Sequence, residues 1–296
     1  MYLNNFTYHR PETLEEACKL LEQCKNGALI AGGTDVLVEI KKGLRHNDEI
    51  VSLKGIDELK LVSQNKSNLY IGAGVTHNQV KHSQVIKDKF PALIDAASNI
   101  GTEQIRNTAT VGGNLCTGAS CCDMAPVLIA YDAIVEIASS TKKRTVSLKD
   151  FFINHKETSL AKGEIMTKVI VPFPNQGVGV SFLKFGLREA ASISVASVSV
   201  RINSDGNICT DSCVVIGAVA PTPRISLDAI EIIKGEKVNE FINNSLVLKS
   251  IGEAAVKDAL PIDDLRGSAE YRRNLVNSLT QRAIKIAAMR STESFK

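Results

Sequence analysis

The feature that most constrains this chain is a pair of adjacent glycines placed directly after a short apolar run. Ala28–Ala31 is typical of a buried strand, it stops at Gly32-Gly33-Thr34-Asp35, and a short helix ending near Gly43 is predicted to follow. Glycines in such a turn let the backbone bend tightly and approach a ligand without an intervening Cβ atom. If a helix begins just beyond, its free N–H groups point to the same place, which suits a phosphate. Ordinary tight turns also use glycine pairs, so this pair alone leaves both interpretations open.

A second glycine pair occurs in Thr110-Val111-Gly112-Gly113-Asn114, where Thr110 and Asn114 form polar flanks. Two such turns in one chain favour two phosphates, and hence a dinucleotide. The usual dinucleotide fingerprint GxGxxG is absent, because Gly72-Ala73-Gly74-Val75-Thr76 comes closest but lacks the third glycine. No Walker-type GxxxxGK[ST] segment occurs either. A bound dinucleotide therefore implies a fold other than the Rossmann fold.

Composition and charge narrow the class of protein further. A chain of 296 residues suits two or three domains, and a hydrophobic fraction of 44% supplies a core. The net charge of +3 favours neither a nucleic-acid groove nor a polybasic membrane patch. No apolar run has the length of a membrane span, and the start of the chain lacks the apolar stretch of a signal peptide. The seven cysteines are odd in number and irregularly spaced, which argues against a disulfide framework. We therefore expect a cytoplasmic protein without a membrane or nucleic-acid partner.

The order of the predicted elements indicates an α+β chain in three segments, residues 1–54, 55–176 and 177–296. The first is βα-like, with a capping box formed by Thr13 and Glu16 at the start of its helix. The second mixes strands and helices: Thr76 is expected to cap a helix, residues 91–98 to form another helix and residues 134–138 to form a strand. It closes in a linker at residues 172–177. The third begins with strands at 178–185, 194–202 and 208–219 and ends with helices at 227–234, 247–259 and 269–289.

The remaining reactive side chains predict no catalytic centre. Cys116-x4-Cys121-Cys122 matches part of an iron–sulfur pattern, but the next spacing is wrong and no fourth cysteine is near, so no cluster is expected. The histidines are scattered and are expected to be surface or capping residues: His9, His46, His77, His82 and His155. No metal site and no nucleophile elbow of the GxSxG type is apparent. The chain is therefore expected to hold a cofactor that carries the chemistry.

Four motifs resemble, in order, the FAD subunit of the xanthine dehydrogenase family, which includes the medium subunits of carbon monoxide, nicotinate and related molybdenum hydroxylases. They are Ala31-Gly32-Gly33-Thr34-Asp35, Gln104-Ile105-Arg106-Asn107-x-Ala109-Thr110-Val111-Gly112-Gly113-Asn114-Leu115, Asp123-Met124-Ala125-Pro126 and Phe182-x-Lys184-Phe185-Gly186-x-Arg188. The resemblance implies a vanillyl-alcohol-oxidase-type FAD-binding fold in two subdomains, residues 1–54 and 55–176. It further implies a C-terminal α+β domain like that of the CO dehydrogenase flavoprotein at 177–296.

The resemblance also implies which residues hold FAD. The residues expected to wrap its pyrophosphate are Ala31, Gly32, Gly33, Thr34 and Asp35, and those expected to contact it from the other side are Thr110, Gly112, Gly113 and Asn114. Thr117 and Asp123 match positions on the ribityl chain or ring edge, where a carboxylate can accept from the flavin N3–H or the ribityl hydroxyls. Asp123 also suits a helix cap, and both roles can coexist.

Lys184 matches a family lysine near the flavin, where a cation favours the anionic reduced ring. Its four-residue spacing from Arg188 is equally typical of a solvated face. The chain departs from the family after this motif, because Ser192 precedes Ile193 where many relatives carry an aspartate. The shape of this side of the flavin is therefore left open by the sequence.

The implied function is electron transfer. The subunit takes electrons from 2Fe–2S clusters on an iron–sulfur partner and passes them through FAD to NAD(P)⁺. A molybdopterin partner hydroxylates an N-heterocycle such as nicotinate or xanthine. Partners are required because this chain carries no iron–sulfur or molybdopterin signature. Two alternatives stay open: a stand-alone FAD oxidoreductase, for which the sequence offers no base, and a non-catalytic nucleotide-binding scaffold.

Overall fold

The computed structural model describes residue 3 and residues 5–295. They divide into two compact units. The first unit consists of the residues up to Gln79, Thr102–Gly118 and Ala133–Pro172, and the second of Val80–Gly101, Ala119–Asp132 and the residues from Phe173 onward. The expected domain boundaries at residues 54 and 176 stay a prediction.

Strands and short helices alternate in the first two thirds of the chain, and long strands precede long helices in the last third. The strands are β1 (Thr7–His9), β2 (Gly27–Ile30), β3 (Glu49–Ser52), β4 (Val62–Gln64), β5 (Asn68–Gly72), β6 (Ile134–Ala138), β7 (Lys143–Ser147), β8 (Phe152–Asn154), β9 (Glu157–Thr158), β10 (Ile165–Pro172), β11 (Val178–Gly186), β12 (Ser194–Ser204), β13 (Cys209–Gly217) and β14 (Arg224–Ile225). The helices are α1 (Leu14–Gln23), α2 (Val36–Lys41), α3 (His77–His82), α4 (Gln84–Lys89), α5 (Pro91–Ser98), α6 (Glu103–Arg106), α7 (Val111–Cys116), α8 (Met124–Ala130), α9 (Leu227–Ile233), α10 (Glu240–Asn243), α11 (Ser245–Lys257) and α12 (Ala269–Glu293). Short 3-10 segments lie at Leu53–Gly55, Asp57–Lys60 and Leu148–Asp150.

The first unit contains two larger sheets. The smaller of them has the strand order β1-β3-β2, with both neighbours of β3 parallel to it. The other has the order β4-β5-β10-β6-β7, and each strand in it is antiparallel to its neighbours. Helix α1 packs on the smaller sheet, because Leu14, Ala17 and Cys18 bury their side chains with Val51 of β3. Half of the predicted capping box is confirmed, since the Glu16 N–H donates to the Thr13 hydroxyl at 3.2 Å. The Glu16 carboxylate accepts from the Glu12 N–H at 3.1 Å, one residue before the predicted donor.

The second unit is built on the antiparallel sheet β11-β12-β13-β14. Its core joins alternating valines of β12 to apolar residues of α9, α11 and α12. Helix α12 approaches β11 backbone to backbone at Gly179, where a Cβ atom would lie 2.9 Å from the carbonyl carbon of Arg290. In this unit the strands β11–β14 come first in the chain, and the helices that follow them pack against their sheet, as the sequence predicts. Within the described part of the chain, no helix is both long and apolar enough to cross a bilayer.

Candidate functional site

The first glycine pair lies in the loop that joins β2 to α2 within the first unit. Gly33 adopts a φ of 76°, a left-handed conformation that favours glycine. The backbone N–H groups of residues 32–35 meet no acceptor among the described residues. Because residues 32–34 are only half-buried and Asp35 is exposed, these donors are open to a ligand. A row of unpaired N–H groups suits an anion, so the expected phosphate loop fits the structure.

Gly32 is required by packing within the protein. A Cβ atom at Gly32 would overlap the carbonyl oxygen of Thr108 and lie 2.9 Å from the Cα of Ala109. These two residues immediately precede Thr110, the first residue of the second glycine segment. The structure therefore brings the two predicted glycine segments together in the first unit, and it does so through contact of their backbones.

The second glycine pair differs from the expected turn, because Gly112 and Gly113 lie inside the first turn of α7. Thr110 caps this helix, and its hydroxyl accepts from the Gly113 N–H at 3.0 Å. The Gly112 N–H donates to the Ala73 carbonyl at 2.9 Å, and the Asn114 N–H donates to the Thr110 carbonyl at the same distance. The prediction of a second turn with free N–H groups is wrong in this respect. Contact of Thr110, Gly112, Gly113 and Asn114 with FAD stays a prediction, and it would have to use side chains or the Cα surface.

Gly112 is also explained by packing. A Cβ atom there would lie 2.5 Å from the Cβ of Ala73 and 2.7 Å from its carbonyl oxygen. The residue therefore lets α7 rest directly on the segment after β5. Gly113 is less confined, since the nearest atom to a Cβ placed there is the Thr110 hydroxyl oxygen at 2.9 Å.

Charged side chains surround the first loop. Although Asp35 as a whole residue is exposed, neighbouring protein atoms partly desolvate its carboxyl group and raise its pKa. The charge of Glu39 adds to this rise, while Lys156 and the Thr117 hydroxyl oppose it. Lys156 forms an ion pair with Glu39, and its backbone N–H donates to the Gly118 carbonyl at 2.8 Å. The Thr117 hydroxyl donates to the Gly113 carbonyl at 2.8 Å. Thr117 therefore lies near Asp35 of the first glycine segment, while its hydroxyl proton is donated to the helix that contains the second pair.

Asp123 and Lys184 form a buried ion pair in the second unit. The Lys184 Nζ lies 2.7 Å from Asp123 Oδ2, and their side chains are only 9% and 7% exposed. The hydroxyl of Ser194 donates to the other carboxylate oxygen, Oδ1. Burial raises the pKa of Asp123, and the Lys184 ammonium and the Ser194 hydroxyl oppose that rise. The two side chains are therefore desolvated and held in a fixed orientation. Lys184 does not belong to a solvated face, which was the alternative for this residue.

Lys184 has no proton left to donate. Besides Asp123, its Nζ donates to the carbonyls of Asn99 at 2.7 Å and Ser192 at 3.2 Å. An ammonium group carries three donors, so all are engaged within the protein. A contact between Lys184 and the flavin stays a prediction, and any influence of its charge would act through space. Ser192, at the position where the resemblance led us to expect an aspartate, contributes its backbone carbonyl here.

Asp123 occupies the N-cap position of α8, but its side chain makes no capping hydrogen bond. Its carboxylate turns to Lys184 and Ser194 instead. The helix-cap interpretation therefore holds for the backbone position alone. Each carboxylate oxygen accepts one hydrogen bond and keeps a second lone pair, so Asp123 retains capacity to accept from a ligand.

The three cysteines near these residues form no disulfide, and neither do the other four. The Cys116 Sγ lies 4.0 Å from the sulfur of Met166, and burial raises the pKa of this thiol to about 12. Burial also raises the pKa of Cys122. Thiols with raised pKa values are poor nucleophiles at neutral pH.

His77 differs from the expected surface or capping histidine. Its side chain is fully buried at the start of α3, and neither ring nitrogen has a hydrogen-bond partner among the described residues. Burial, and to a smaller degree the nearby Arg106 charge, lowers its pKa to about 4. The helix cap is instead Thr76, whose hydroxyl accepts from the Gln79 N–H at 3.2 Å, as predicted for that threonine.

Two family profiles cover most of the chain. Residues 4–174 match the FAD binding domain in molybdopterin dehydrogenase, and residues 181–287 match the CO dehydrogenase flavoprotein C-terminal domain. The chain belongs to this family of FAD-binding subunits. The family inferred from the four motifs is confirmed, and so is the α+β fold class with an FAD-binding part and a C-terminal flavoprotein domain.

Known proteins similar to this family member include flavoprotein subunits of several dehydrogenases. The xanthine dehydrogenase FAD-binding subunit of Escherichia coli O157:H7 is 32% identical over 286 residues, which cover 95% of each chain. The nicotinate dehydrogenase FAD-subunit of Eubacterium barkeri is 33% identical over 240 residues, 79% of this chain and 81% of that subunit. A chain of carbon monoxide dehydrogenase from Hydrogenophaga pseudoflava superposes with a TM-score of 0.93 at 26% identity, over 98% and 99% of the two chains. The expected class, a subunit of an FAD-dependent oxidoreductase, is confirmed.

Sequence reasoning missed the residues that orient the Asp123–Lys184 pair. Ser194 is only 1% exposed on β12, and Asn99 contributes a backbone carbonyl. Ser194 carried a usable signal, because a serine in a buried strand needs a hydrogen-bond partner. A backbone carbonyl such as that of Asn99 leaves no signal, since any residue type supplies one.

Proposed function

We propose that this chain holds one FAD and relays electrons from 2Fe–2S clusters on a partner subunit to NAD(P)⁺. A second, molybdopterin-containing partner would hydroxylate the substrate, an N-heterocycle such as nicotinate or xanthine. Bound FAD supplies the exchange between single electrons and a hydride equivalent. Support for partners comes from the similar proteins, which are named as FAD-binding or medium subunits of dehydrogenases. Seven cysteines that form no disulfide favour the cytoplasm as the compartment.

The observation that carries the proposal is the unpaired row of N–H groups at residues 32–35. These donors are half-buried to exposed, they are consecutive, and Gly33 holds the turn open with a left-handed φ. An FAD diphosphate offers acceptor oxygens with negative charge, which such a row stabilises. Ala31, Gly32, Gly33, Thr34 and Asp35 are therefore proposed as the diphosphate-binding segment.

The remaining proposed contacts are side-chain contacts. In the first unit, Thr110, Asn114 and Thr117 present polar groups beside the two glycines of α7. In the second unit, Asp123 keeps acceptor capacity toward a ribityl hydroxyl or the flavin N3–H. Lys184 is proposed to keep Asp123 ionised and in place, because it donates to that carboxylate at 2.7 Å.

Amide hydrogen exchange tests the two loops separately. We expect FAD added to the flavin-free protein to slow exchange at residues 32–35, whose N–H groups have no acceptor within the described part of the chain. The amides of Val111, Gly112 and Asn114 already donate to carbonyls, so they should change far less. Equal protection at both segments would contradict the assignment of the first loop as the principal donor. No protection at residues 32–35 would overturn it.

A pair of matched glycine variants tests the same loop by affinity. Gly33→Ala and Gly43→Ala place a methyl group at φ values of 76° and 70°, so both carry a similar backbone penalty. Only Gly33 lies in the proposed diphosphate loop. A Cβ atom there would lie 3.1 Å from the movable side-chain ends of Ile30 and Leu37, while one at Gly43 would meet no other atom within 4 Å, so the unfolding free energies of both variants are compared as well. We expect Gly33→Ala to lower FAD affinity by roughly tenfold or more relative to Gly43→Ala, about 1.4 kcal/mol. Equal FAD affinities would refute the assignment.

Gly32 and Gly112 are unsuitable for this purpose. A Cβ atom at either position would collide, with the backbone of Thr108 in the first case and with Ala73 in the second. Loss of FAD in such variants could report a damaged fold instead of a lost contact. The choice between NAD⁺ and NADP⁺ is tested directly, by adding each reduced nucleotide to the FAD-loaded chain and following the flavin absorbance.

A further inference from the structure

A second polar cluster lies beside the smaller sheet of the first unit. It consists of His9 at the end of β1, Cys24 just after α1 and Glu49 at the start of β3. One donor atom from each residue lies within 4.8 Å of the other two. The His9 Nε2 and Glu49 Oε2 atoms are 2.9 Å apart. None of the three residues belongs to the glycine loop, which follows the carboxyl end of β2.

Strand register places two of these side chains on one face. Thr7 lies opposite Glu49 in the parallel pair β1–β3, and side chains alternate along each strand, so His9 shares a face with Glu49. Val51, two residues beyond Glu49, packs in the core beneath α1 with Cys24. The cluster therefore lies at the edge of the sheet face that α1 covers, a place where apolar side chains are the usual occupants.

Gly27 makes room for the thiol. It lies directly opposite Glu49 in the pair β2–β3. A Cβ atom at Gly27 would lie 2.5 Å from the Cβ of Cys24 and 3.1 Å from its Sγ. The missing side chain lets the sulfur sit over the strand beside the carboxylate, although Cys24 itself is only 3% exposed.

We propose that His9, Cys24 and Glu49 form a binding site for a zinc-type divalent cation. An imidazole nitrogen, a thiolate sulfur and a carboxylate oxygen are ordinary zinc ligands, and bonds of ~2.0–2.3 Å place tetrahedral donors roughly 3.5 Å apart. Small rotations of His9 and Glu49 reach that spacing, because their side chains are 24% and 32% exposed and stand at the open edge. The thiol proton passes to solvent as the sulfur binds the ion, and water takes the fourth position. The sulfur ligand disfavours Mg²⁺ and Ca²⁺.

The bound ion would join three segments that are distant in sequence: the end of β1, the end of α1 and the start of β3. It would stabilise the folded state, because the unfolded chain does not hold these ligands together. The proposal is independent of FAD binding, since it uses no residue of the glycine segments.

Zinc content measures the site directly. The purified full-length chain is equilibrated with micromolar free Zn²⁺, dialysed in a zinc-buffered solution and analysed for bound zinc by atomic emission. We expect one zinc ion per chain in the wild type and a fall in affinity of roughly tenfold or more in His9→Gln and Cys24→Ala. Cys18→Ala is the matched control, because Cys18 is another buried thiol, within α1, that lies outside the cluster.

Cobalt provides a second readout that a structural role alone would not change. Co²⁺ bound through Cys24 should add a sulfur-to-metal charge-transfer band, visible in a difference spectrum against the same protein without Co²⁺. His9→Gln changes a half-buried residue, so it remains informative if Cys24→Ala folds poorly. FAD content and the far-ultraviolet circular dichroism spectrum should be the same in all folded variants. The proposal fails if the wild type binds no zinc, or if His9→Gln and Cys24→Ala bind it as well as Cys18→Ala does.

Discussion

Among single residues, the four glycines of the two pairs play different roles. Gly33 adopts a left-handed φ beside unpaired N–H groups, whereas Gly32 and Gly112 each leave space for a neighbouring backbone segment. Gly113 lies in the first turn of α7, where its N–H is already taken by Thr110. A glycine pair in a sequence therefore marks a close approach, and only the structure tells whether a ligand or the protein itself makes that approach.

The Asp123–Lys184 pair leads to a prediction about stability. Lys184→Met leaves a buried carboxylate without its partner, which costs about 3–5 kcal/mol of unfolding free energy at neutral pH. The variant further raises the folded-state pKa of Asp123, so its deficit should shrink as the pH falls and the carboxyl takes up a proton. Denaturant unfolding at pH 7 and at about pH 5 measures both effects. Adding Asp123→Asn to Lys184→Met should recover part of the loss.

An exposed ion pair provides the control for this prediction. Lys249 and Glu253 lie 3.8 Å apart with side chains 65% and 58% exposed, so Lys249→Met should cost no more than about 0.5 kcal/mol. Equal losses for Lys184→Met and Lys249→Met would contradict the assignment of Asp123 and Lys184 as a buried, coupled pair.

His77 predicts a specific pH dependence. Its folded-state pKa is lowered from 6.5 to about 4, so the unfolded chain binds a proton more readily between these values. Stability due to this residue is complete above pH 6.5 and is lost as the pH falls toward 4, by roughly 3 kcal/mol in total. His77→Leu should flatten this part of the stability curve, as measured by urea unfolding from pH 7 to pH 4. The same replacement at the exposed His155 controls for losing a surface histidine, and an unchanged curve in His77→Leu would disprove the assignment.

Among helices and strands, the sequence predicts the first and last residues well where a particular residue type or pattern determines them. Helix α5 begins at Pro91, a favoured first helical residue, and its predicted range of 91–98 matches the structure. Strand β6 also matches its predicted range, Ile134–Ala138, because alternating buried positions define it. Helix α7 escapes sequence-based prediction, since two glycines oppose helix formation locally. Its cap at Thr110 and its packing on Ala73 outweigh that preference, and the packing depends on contacts that are distant in sequence.

The contact between β11 and α12 gives a prediction at this scale. Gly179→Ala would drive a methyl group into the backbone of α12 at Ala287 and Ser291, and neither backbone can move aside without disturbing the core. We expect a loss of about 1–3 kcal/mol in unfolding free energy, or failure to fold. Ser181→Ala on the same strand removes only one hydrogen bond to the Ala283 carbonyl and should cost about 1 kcal/mol. Thermal unfolding of both variants measures the two losses in stability. A smaller loss for Gly179→Ala than for Ser181→Ala would contradict the close backbone contact.

For the whole molecule, the sequence predicts the fold class and the family, but only part of the candidate site. The motifs around Asp123 and Lys184 identify residues that do lie together, 61 positions apart in the chain. The motifs cannot show that the Lys184 ammonium donates all its hydrogen bonds within the protein. Two of its acceptors are the backbone carbonyls of Asn99 and Ser192, and a backbone carbonyl leaves no trace in the residue type. The burial of His77 could not be predicted either, because its neighbours in the fold, such as Arg106 and Ala109, are distant from it in sequence. The sequence does not show which residues lie next to each other in the folded chain. Those neighbours determine whether a polar group contacts a ligand, solvent or other protein groups.

The same neighbourhoods predict how the isolated chain should behave. Two buried ionisable groups that could serve as an acid or base are not available for catalysis, because Asp123 is paired with Lys184 and burial holds His77 neutral. The FAD-loaded chain alone should therefore be reduced by a nicotinamide nucleotide yet fail to hydroxylate nicotinate or xanthine. Hydroxylation should appear only when the iron–sulfur and molybdopterin subunits are added. Flavin absorbance follows the first reaction and product chromatography the second, with Gly33→Ala as a variant that weakens FAD binding in both. Hydroxylation by the chain alone would favour the stand-alone oxidoreductase, because a substrate-oxidising centre would then have to lie within this one polypeptide.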